Sequence, residues 1–355
     1  MTIKRYAFLF PIAAGLLAAI ASFTHIEQSD LMAALSTVLL LGTAFSAVQH
    51  AEIISARVGQ PYGTLVLTFS VTLIEVSVLV SLMLHGENNP TLAREAVLST
   101  VMFVLTGVVG ICLLMGGLRH REQTVQQQGV SGYLSVIIAI SVLALVLPDQ
   151  TWAGLRGLTT QVDVVFIMIA VVMLYGSFLF MQTVRHRAHF LEGEEEVHWR
   201  PRRRDTLLSA AFLLLSLVGV VTLSNHVASG TERLLGDASL LDPNAVVGAV
   251  VVAMLLLPET ITAVKAARRN QLQRALNTAL GSALATIGLT MPVMVAVGFI
   301  IDKQVELSLD PEDRVQLLLA LVLSIVSFGT GRTNALTGLV HLVLFLVYVL
   351  TLFSP

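Results

Sequence analysis

Two glutamates stand alone in long apolar stretches of this sequence, and their type and spacing suit them to bind ions. Glu75 is the single charged residue in YGTLVLTFSVTLIEVSVLVSLMLHG (62–86), and Glu259 is the single charged residue in PNAVVGAVVVAMLLLPETITAV (243–264). A charge at the centre of a bilayer costs roughly 2.5–3.5 kcal/mol on insertion scales, so it is seldom kept without a use. Two such acids, one in each half of the chain, predict a cation site. The alternative is a structural pair of acids that protons neutralise.

Threonines near the two acids offer neutral oxygen ligands. At helical spacing, Thr72 lies on the same side of its helix as Glu75. Thr262 has the same relation to Glu259. Each hydroxyl could bind a cation, or it could bond back to the carbonyl of the preceding helical turn, as threonine in membrane helices commonly does.

Pro258 comes directly before Glu259 and changes the hydrogen bonding of the helix that carries this acid. Proline has no amide hydrogen, so the backbone carbonyl of Met254 loses its helical partner and must be met by a neighbour, water or an ion. Carboxylate, hydroxyl and carbonyl oxygens are ligands of hard cations, and two carboxylates neutralise a divalent charge. A zinc or copper site would need His or Cys around the acids, and the sequence has none there.

The same two carboxyl groups can also take up protons. A charged group in a low-dielectric environment is costly unless it is paired, so we expect each acid to hold a cation or a proton. Binding of Ca²⁺ would expel protons, and protonation would expel Ca²⁺. Mutually exclusive occupancy of this kind is sufficient for antiport, provided that the empty site does not easily switch sides.

The elements that must hold these acids are membrane helices. Of 355 residues, 55% are hydrophobic and 12% are charged, and the mean hydropathy is +0.83, whereas about a quarter of the residues in a soluble domain are charged. Stretches of about 20 apolar residues predict an all-α polytopic membrane protein with about eleven transmembrane helices. They are expected at 6–24, 31–56, 62–84, 96–118, 130–147, 162–184, 207–227, 244–266, 274–301, 315–329 and 333–353. The single cysteine, Cys112, excludes disulfides and a thiolate metal site.

The order of these helices divides the chain into two halves. We expect an N-terminal helix in residues 1–30, a five-helix repeat in 31–184, a cytoplasmic acidic and basic loop in 185–206 and a second five-helix repeat in 207–355. Five helices per repeat place the two repeats in opposite orientations, an architecture common among secondary transporters with a midplane substrate site. With the N-terminus inside, 16 Lys and Arg residues fall on the inner side and 5 on the outer side, as the positive-inside rule requires.

The depth of the two acids agrees with inverted repeats. Glu75 lies 13 residues after Tyr62, and Glu259 lies about 15 residues after Asn244. At 1.5 Å per residue, both acids are roughly 20 Å along helices of opposite direction. We therefore expect the two carboxyl groups to face one another within reach of a shared ion.

Three segments now permit comparison with a known family. They are HAEIISARVGQPYGTLVLTFSVTLIEVSVL (50–79), LLPETITAVKAARRNQLQRALNTALGSALATIGLTMPV (256–293) and SFGTGRTNALTGLVHL (327–342). The sequence resembles the ChaA-type Ca²⁺(Na⁺)/H⁺ antiporters of bacteria, which belong to the calcium/cation antiporter superfamily beside the vacuolar cation/proton exchangers. The resemblance covers nearly the whole chain and is weakest in the loop around 190–205.

The resemblance also implies roles for particular residues. The family's ion-binding acids fall on Glu75 and Glu259, and its Gly-Ser pair at the start of the next helix falls on Gly281 and Ser282, which adds Ser282 to the candidate ligands. Vacuolar-type exchangers carry a Gly-Asn pair shortly before each acid, where this chain has Val-Thr and Leu-Leu. Fewer amide oxygens around the acids leave the choice among Ca²⁺, Na⁺ and K⁺ open.

The function implied is Ca²⁺/H⁺ exchange by alternating access across the bacterial inner membrane, with a cytoplasmic N-terminus and a periplasmic C-terminus. The alternative is a Na⁺(K⁺)/H⁺ antiporter that uses the same acids, and a channel or a structural membrane protein is a remote alternative. The sequence has no nucleophile–base motif, so an enzyme is not expected. We expect no resident cofactor; the partners are inorganic cations, protons and membrane lipid, without nucleic acid or an obligate protein partner.

Three further sets of residues have two interpretations each. The acidic run Glu192 and Glu194–Glu196 is a solvated linker or a weak Ca²⁺ sensor. His50 and Glu52 could relay protons or steer cations, but solvation at the membrane edge is the interpretation we favour. His341, inside the last helix, is expected to pack with hydrogen-bonded ring nitrogens rather than act in transport.

Overall fold

The computed structural model describes residues 6–24, 30–59, 62–85, 90–148, 161–186, 190, 201–235, 243–303 and 305–352. In these ranges the chain forms the eleven expected helices and is an all-α polytopic membrane protein. The helices before the central loop are α1 (Tyr6–Thr24), α2 (Asp30–Val58), α3 (Tyr62–His85), α4 (Leu92–His120), α5 (Gln127–Val146) and α6 (Gln161–Phe180, continued by Met181–Arg185). Those after it are α7 (Arg203–Leu235), α8 (Pro243–Arg268), α9 (Leu272–Ile300), α10 (Pro311–Phe328) and α11 (Ala335–Leu352).

Nine of the described helices are long and apolar enough to cross a membrane, namely α2 to α9 and α11. Helix α1 qualifies only as a shorter apolar helix, over Tyr6–Ile20. Helix α10 carries Glu312, Asp313 and Arg314 in its first turn and is not among the nine. The helices themselves lie where the apolar stretches of the sequence predicted them.

Residue contacts divide the chain into two compact units that differ from the two sequence repeats. The first unit, residues 1–89 and 195–258, contains α1, α2, α3, α7 and the start of α8. The second unit, residues 90–194 and 259–355, contains α4, α5, α6, the rest of α8, and α9 to α11. Each unit therefore combines helices from both halves of the chain, and the division within α8 falls at the Pro258–Glu259 bond. The repeat boundaries proposed from the sequence stay a prediction.

In the first unit, helix α2 packs against α1, α3 and α7. Its apolar interior is built on a buried cluster of Ala14, Leu40, Leu223 and Val227. Buried small and aliphatic residues from three helices let the backbones approach closely, which is how helices associate in lipid.

In the second unit, helix α4 packs along α11. A Cβ atom on Gly338 would lie 2.8 Å from the carbonyl oxygen of Gly110 and would collide with the backbone nitrogen of Leu114. The two helices therefore need glycine at this contact. At the end of this contact, strands β1 (Glu122–Thr124) and β2 (Arg332–Asn334) form a short antiparallel ribbon with Gln123 opposite Thr333.

Among the described residues, four helices contain π-helical segments, which the sequence did not predict. They are Phe103–Val108 in α4, Val142–Val146 in α5, Met181–Arg185 in α6 and Thr286–Thr290 in α9. Pro292 follows the last of these segments, and because proline has no amide hydrogen it interrupts regular α-helical bonding there. Helices α4 and α9 each follow a helix that carries one of the two acids, and π segments occur frequently at functional sites.

Candidate cation site

The carboxyl group of Glu259 has a hydrogen-bond donor at one oxygen only. Helix α8 continues through Pro258, so Glu259 lies within an unbroken helix from Pro243 to Arg268. The hydroxyl of Ser282 on α9 donates a hydrogen bond to the Glu259 carboxyl group. Its Oε2 atom is buried and has no hydrogen-bond partner among the described residues. A buried carboxylate oxygen without a partner is costly, so this group needs a proton or a cation.

Ser282 is held in place by the helix that follows the acid. Its backbone carbonyl accepts a hydrogen bond of 3.1 Å from the hydroxyl of Thr286, where the π segment of α9 begins. Two residues later Gly288 packs against the ring of Tyr175 on α6, so closely that a Cβ atom would lie 2.6 Å from the Tyr175 Cγ atom. Thr286 was not among the predicted residues, although its position four residues after Ser282 is a signal for such a contact.

The surroundings of Glu75 are those of a polar stripe on α3. Glu75 is half-buried, and Thr72, three residues earlier, is 5% exposed. The Thr72 hydroxyl donates a 2.9 Å hydrogen bond to the carbonyl oxygen of Thr68. The Thr72 hydroxyl therefore bonds back to the preceding helical turn, which was one of its two predicted interpretations. Its oxygen lone pairs remain as acceptors or ligands.

The remaining predicted ligands lie on α8. Thr262 is half-buried, three residues after Glu259. The Met254 side chain packs against the apolar cluster of the first unit. The predicted cation ligand at Met254 is its backbone carbonyl oxygen, not this side chain. The structure thus brings Ser282 to Glu259, and binding of a cation by Glu75, Glu259, Thr72, Thr262, Met254 and Ser282 stays a prediction.

His50 is a structural residue, and its expected solvation at the membrane edge is wrong. It is fully buried and stacks on Phe212, with ring centroids 5.5 Å apart. Pro11 lacks an amide hydrogen, so the carbonyl of Ala7, four residues earlier, has no helical partner. The His50 Nε2 atom donates to this carbonyl at 2.9 Å, and the Ser46 hydroxyl donates to it at 2.5 Å. The histidine compensates for a proline in the neighbouring helix.

His341 packs with both ring nitrogens hydrogen-bonded, as predicted. It is fully buried, and its Nδ1 atom lies 2.7 Å from the carbonyl oxygen of Leu105, within the π segment of α4. Its Nε2 atom lies 2.8 Å from the Ser327 hydroxyl on α10. Since a carbonyl can only accept, Nδ1 carries a hydrogen and donates it to Leu105. His341 therefore links α4, α10 and α11.

An ion-pair network at the start of α4 was missed by the sequence analysis. Arg94 and Glu95 are 7% and 5% exposed, and their side chains bond at 3.0 Å. Arg94 also bonds to Asp310 at 2.8 Å and to the carbonyl oxygen of Ser308. Burial, followed by repulsion from Asp310, raises the pKa of Asp313 to about 6. The signal in the sequence was the adjacent Arg-Glu pair in the first turn of an otherwise apolar helix.

Carboxylate oxygens of Glu95, Asp310 and Asp313 lie within 4.8 Å of one another. Arg94 supplies the positive charge in this group, so the structure explains it as an ion-pair network that joins the starts of α4 and α10. The acidic run Glu192 and Glu194–Glu196 lies outside the residues that the structure describes.

Comparison with known proteins adds three findings. The model of the sodium/calcium exchanger protein family matches residues 29–184 and 208–354. The protein y4hA of Sinorhizobium fredii (strain NBRC 101917 / NGR234) is 41% identical over 98% of this chain and 96% of its own length. The sodium-potassium/proton antiporter ChaA of Escherichia coli (strain K12) is 36% identical over 90% of this chain and 88% of its own length.

Solved structures show the same fold. The crystal structure of the selenium-substituted Ca²⁺/H⁺ antiporter protein YfkE has a TM-score of 0.73 and 18% sequence identity. The match covers 99% of this chain and 99% of the other. The likeness therefore extends through the whole arrangement of helices.

Proposed function

This chain belongs to the sodium/calcium exchanger protein family, and from that premise we propose that it exchanges Ca²⁺ for H⁺ across the bacterial inner membrane. It is a membrane cation/proton antiporter and not an enzyme. We also propose the transported ion, the residues that bind it and the orientation of the chain in the membrane. The excess of Lys and Arg on one side supports a cytoplasmic N-terminus and a periplasmic C-terminus.

The half-satisfied carboxyl group of Glu259 is the observation that carries the proposal. One oxygen has the Ser282 hydroxyl, while the other is buried without a partner in the described chain. Such a group is stable with a bound cation or a bound proton. A bound proton removes its negative charge and so weakens binding of the cation. We propose that Glu75 supplies the second carboxylate, on the grounds of its equal depth in the sequence. Two carboxylates, with hydroxyl and carbonyl oxygens as the other proposed ligands, suit Ca²⁺.

Exchange of Na⁺ or K⁺ for protons is the second candidate function. The 36% identical relative from Escherichia coli is named a sodium-potassium/proton antiporter. A monovalent cation would leave one negative charge on the pair of acids, which a single retained proton could neutralise. The two candidates therefore differ in how many protons leave when one cation binds.

Transport assays in everted membrane vesicles separate these candidates. A pH gradient is established, and Ca²⁺, Na⁺ or K⁺ is added while a fluorescent dye reports the dissipation of the gradient. We expect Ca²⁺ to dissipate the gradient at the lowest concentration. Dissipation by Na⁺ or K⁺ alone would replace the Ca²⁺ proposal by the second candidate, and a response to none of the three would contradict cation/proton exchange. Vesicles with Glu312→Gln, which removes an exposed carboxyl group outside the proposed site, provide the matched control.

A further inference from the structure

Helices α10 and α11 enclose a groove beside the turn that joins them. The groove has a volume of about 480 Å³. Its end near the turn is lined by charged and polar residues, including Glu122 and Arg332, and its other end is lined by aliphatic residues, including Val326 and Val340. All of these residues belong to the second unit. A groove that changes from charged to aliphatic along its length matches the chemistry of a phospholipid.

The charged end of the groove carries one positive and one negative side chain. Arg332 and Glu122 lie on the paired strands β2 and β1, with 4.0 Å between their nearest charged atoms. Their side chains are 73% and 66% exposed. An exposed pair at this distance contributes little to stability, so each partner can turn to a ligand at low cost.

Thr333 follows Arg332 on β2, so its side chain points to the other face of the ribbon, opposite the buried Gln123. Thr333 is 5% exposed, and its Oγ1 atom has no hydrogen-bond partner in the part of the chain that the structure describes. This buried hydroxyl is therefore not a contact of a ligand in the groove. The adjacent start of α11 adds backbone N–H groups that favour an anion. Asn334 caps one of these groups, at Thr337, with a 3.2 Å hydrogen bond.

The aliphatic end of the groove runs along the outer surface of the two helices. Val326 on α10 is 70% exposed, and Leu336 and Val340 on α11 are 68% and 45% exposed. Helix α10 ends and helix α11 begins at the turn beside the polar end of the groove. An acyl chain that follows them from the polar end would therefore run into the apolar part of the membrane.

We propose that this groove binds one phospholipid with an ethanolamine headgroup. The phosphate lies beside Arg332 and the start of α11, and the primary ammonium group donates to Glu122. A glycerol headgroup brings the phosphate charge without a cation for Glu122. A choline headgroup has a quaternary nitrogen with no N–H to donate. The inference does not depend on which cation the protein transports.

Native mass spectrometry of the full chain, titrated with phosphatidylethanolamine, phosphatidylcholine and phosphatidylglycerol of identical acyl chains, tests this proposal. For the wild type we expect the ethanolamine lipid to bind about tenfold more tightly than the other two, the effect of one charge-assisted hydrogen bond. In Glu122→Gln this preference should disappear and binding of the glycerol lipid should strengthen. The control variant Glu312→Gln, at the far end of α10, should keep the wild-type preference.

Two results would overturn the proposal. Equal binding of the three lipids by the wild type would show general solvation by lipid without a headgroup site. An unchanged preference in Glu122→Gln would show that the ammonium group is recognised elsewhere. Val340→Trp, which fills the aliphatic end and leaves both charges in place, should weaken binding of all three lipids, and unaffected binding would contradict the position of the acyl chain.

Discussion

The carboxyl group of Glu259 accepts a hydrogen bond from Ser282 and keeps its second oxygen buried without a partner among the described residues. A serine hydroxyl is a neutral donor, so it orients the carboxyl group without supplying the positive charge that an arginine would. The negative charge consequently stays available for a transported cation or a proton. The sequence already indicated this property, because Glu259 is an acid without a basic residue near it in its apolar stretch.

Removal of either negative charge should stop exchange. We expect Glu75→Gln and Glu259→Gln to abolish cation-dependent proton flux in proteoliposomes, because the neutral amide keeps the volume but neither binds a proton nor supplies charge. The variants should stay folded, with a wild-type helical circular dichroism spectrum. Glu312→Gln is the matched control and should transport normally. Wild-type flux in either site variant would remove that acid from the proposed mechanism.

Asp313 should make the stability of the protein depend on pH. Its pKa is raised to about 6 by burial and by the nearby Asp310, whereas an aspartate in an unfolded chain has a pKa of about 3.9. Between these values the folded protein binds a proton that the unfolded chain has released, so stability falls as pH rises from about 4 to about 6 and then stays low. The charged groups that face Asp313 are Arg94, Asp310 and Glu312.

The variant Asp313→Asn should therefore gain about 1–3 kcal/mol at pH 7, after allowance for the partial exposure of the group. The gain should shrink as the pH falls towards 4. Unfolding in increasing sodium dodecyl sulfate, followed by circular dichroism between pH 4 and pH 8, measures both effects, and Glu312→Gln controls for the loss of a nearby charge. A gain that stays constant over this range would contradict the assignment.

At the scale of the helix, close packing depends on single glycines. In Gly338→Ala the new methyl group meets the backbone of α4 at Leu114 and Gly110, which cannot move aside as a flexible side chain would. We expect a loss of about 2–4 kcal/mol, in the range of overpacked cores and of close helix contacts. Gly176→Ala on α6, where no atom lies within 4 Å of the new methyl group, should be tolerated. A thermal unfolding midpoint equal to that of the wild type in Gly338→Ala would contradict the packing.

The sequence predicted the helices well because each helix depends on the residues of its own stretch. Any apolar stretch of about 20 residues must satisfy its own backbone groups in lipid, and a helix does so. The π segments and the role of His50 depend on partners far along the chain. His50 bonds to Ala7, 43 residues away, and His341 bonds to Leu105, 236 residues away. The composition of one apolar stretch does not identify such distant partners.

For the whole molecule, competition between cations and protons predicts a pH-dependent affinity. Each bound Ca²⁺ must displace protons from the same carboxyl groups, so the apparent Ca²⁺ affinity in vesicles should increase as pH rises through the neutral to alkaline range. Removal of the charges of Glu194–Glu196 should leave this dependence intact. Measurement of half-saturating Ca²⁺ concentrations at several pH values decides the matter, because an affinity that stays flat would mean that protons do not compete.

The interleaving of the two units has a consequence for synthesis of the chain in the cell. Neither unit can be completed from the first half, since the first needs α7 and the second needs α9 to α11. Arg94 is made 216 residues before its partner Asp310, an interval of about 10–40 s at ribosomal speeds of roughly 5–20 residues per second. Of the acids that contact Arg94 in the described structure, Glu95 alone exists until Glu306 is made, four residues before Asp310. The ion pair of Arg94 and Glu95 therefore forms first and has no net charge. Asp310 joins it only after the chain has been synthesised as far as α10.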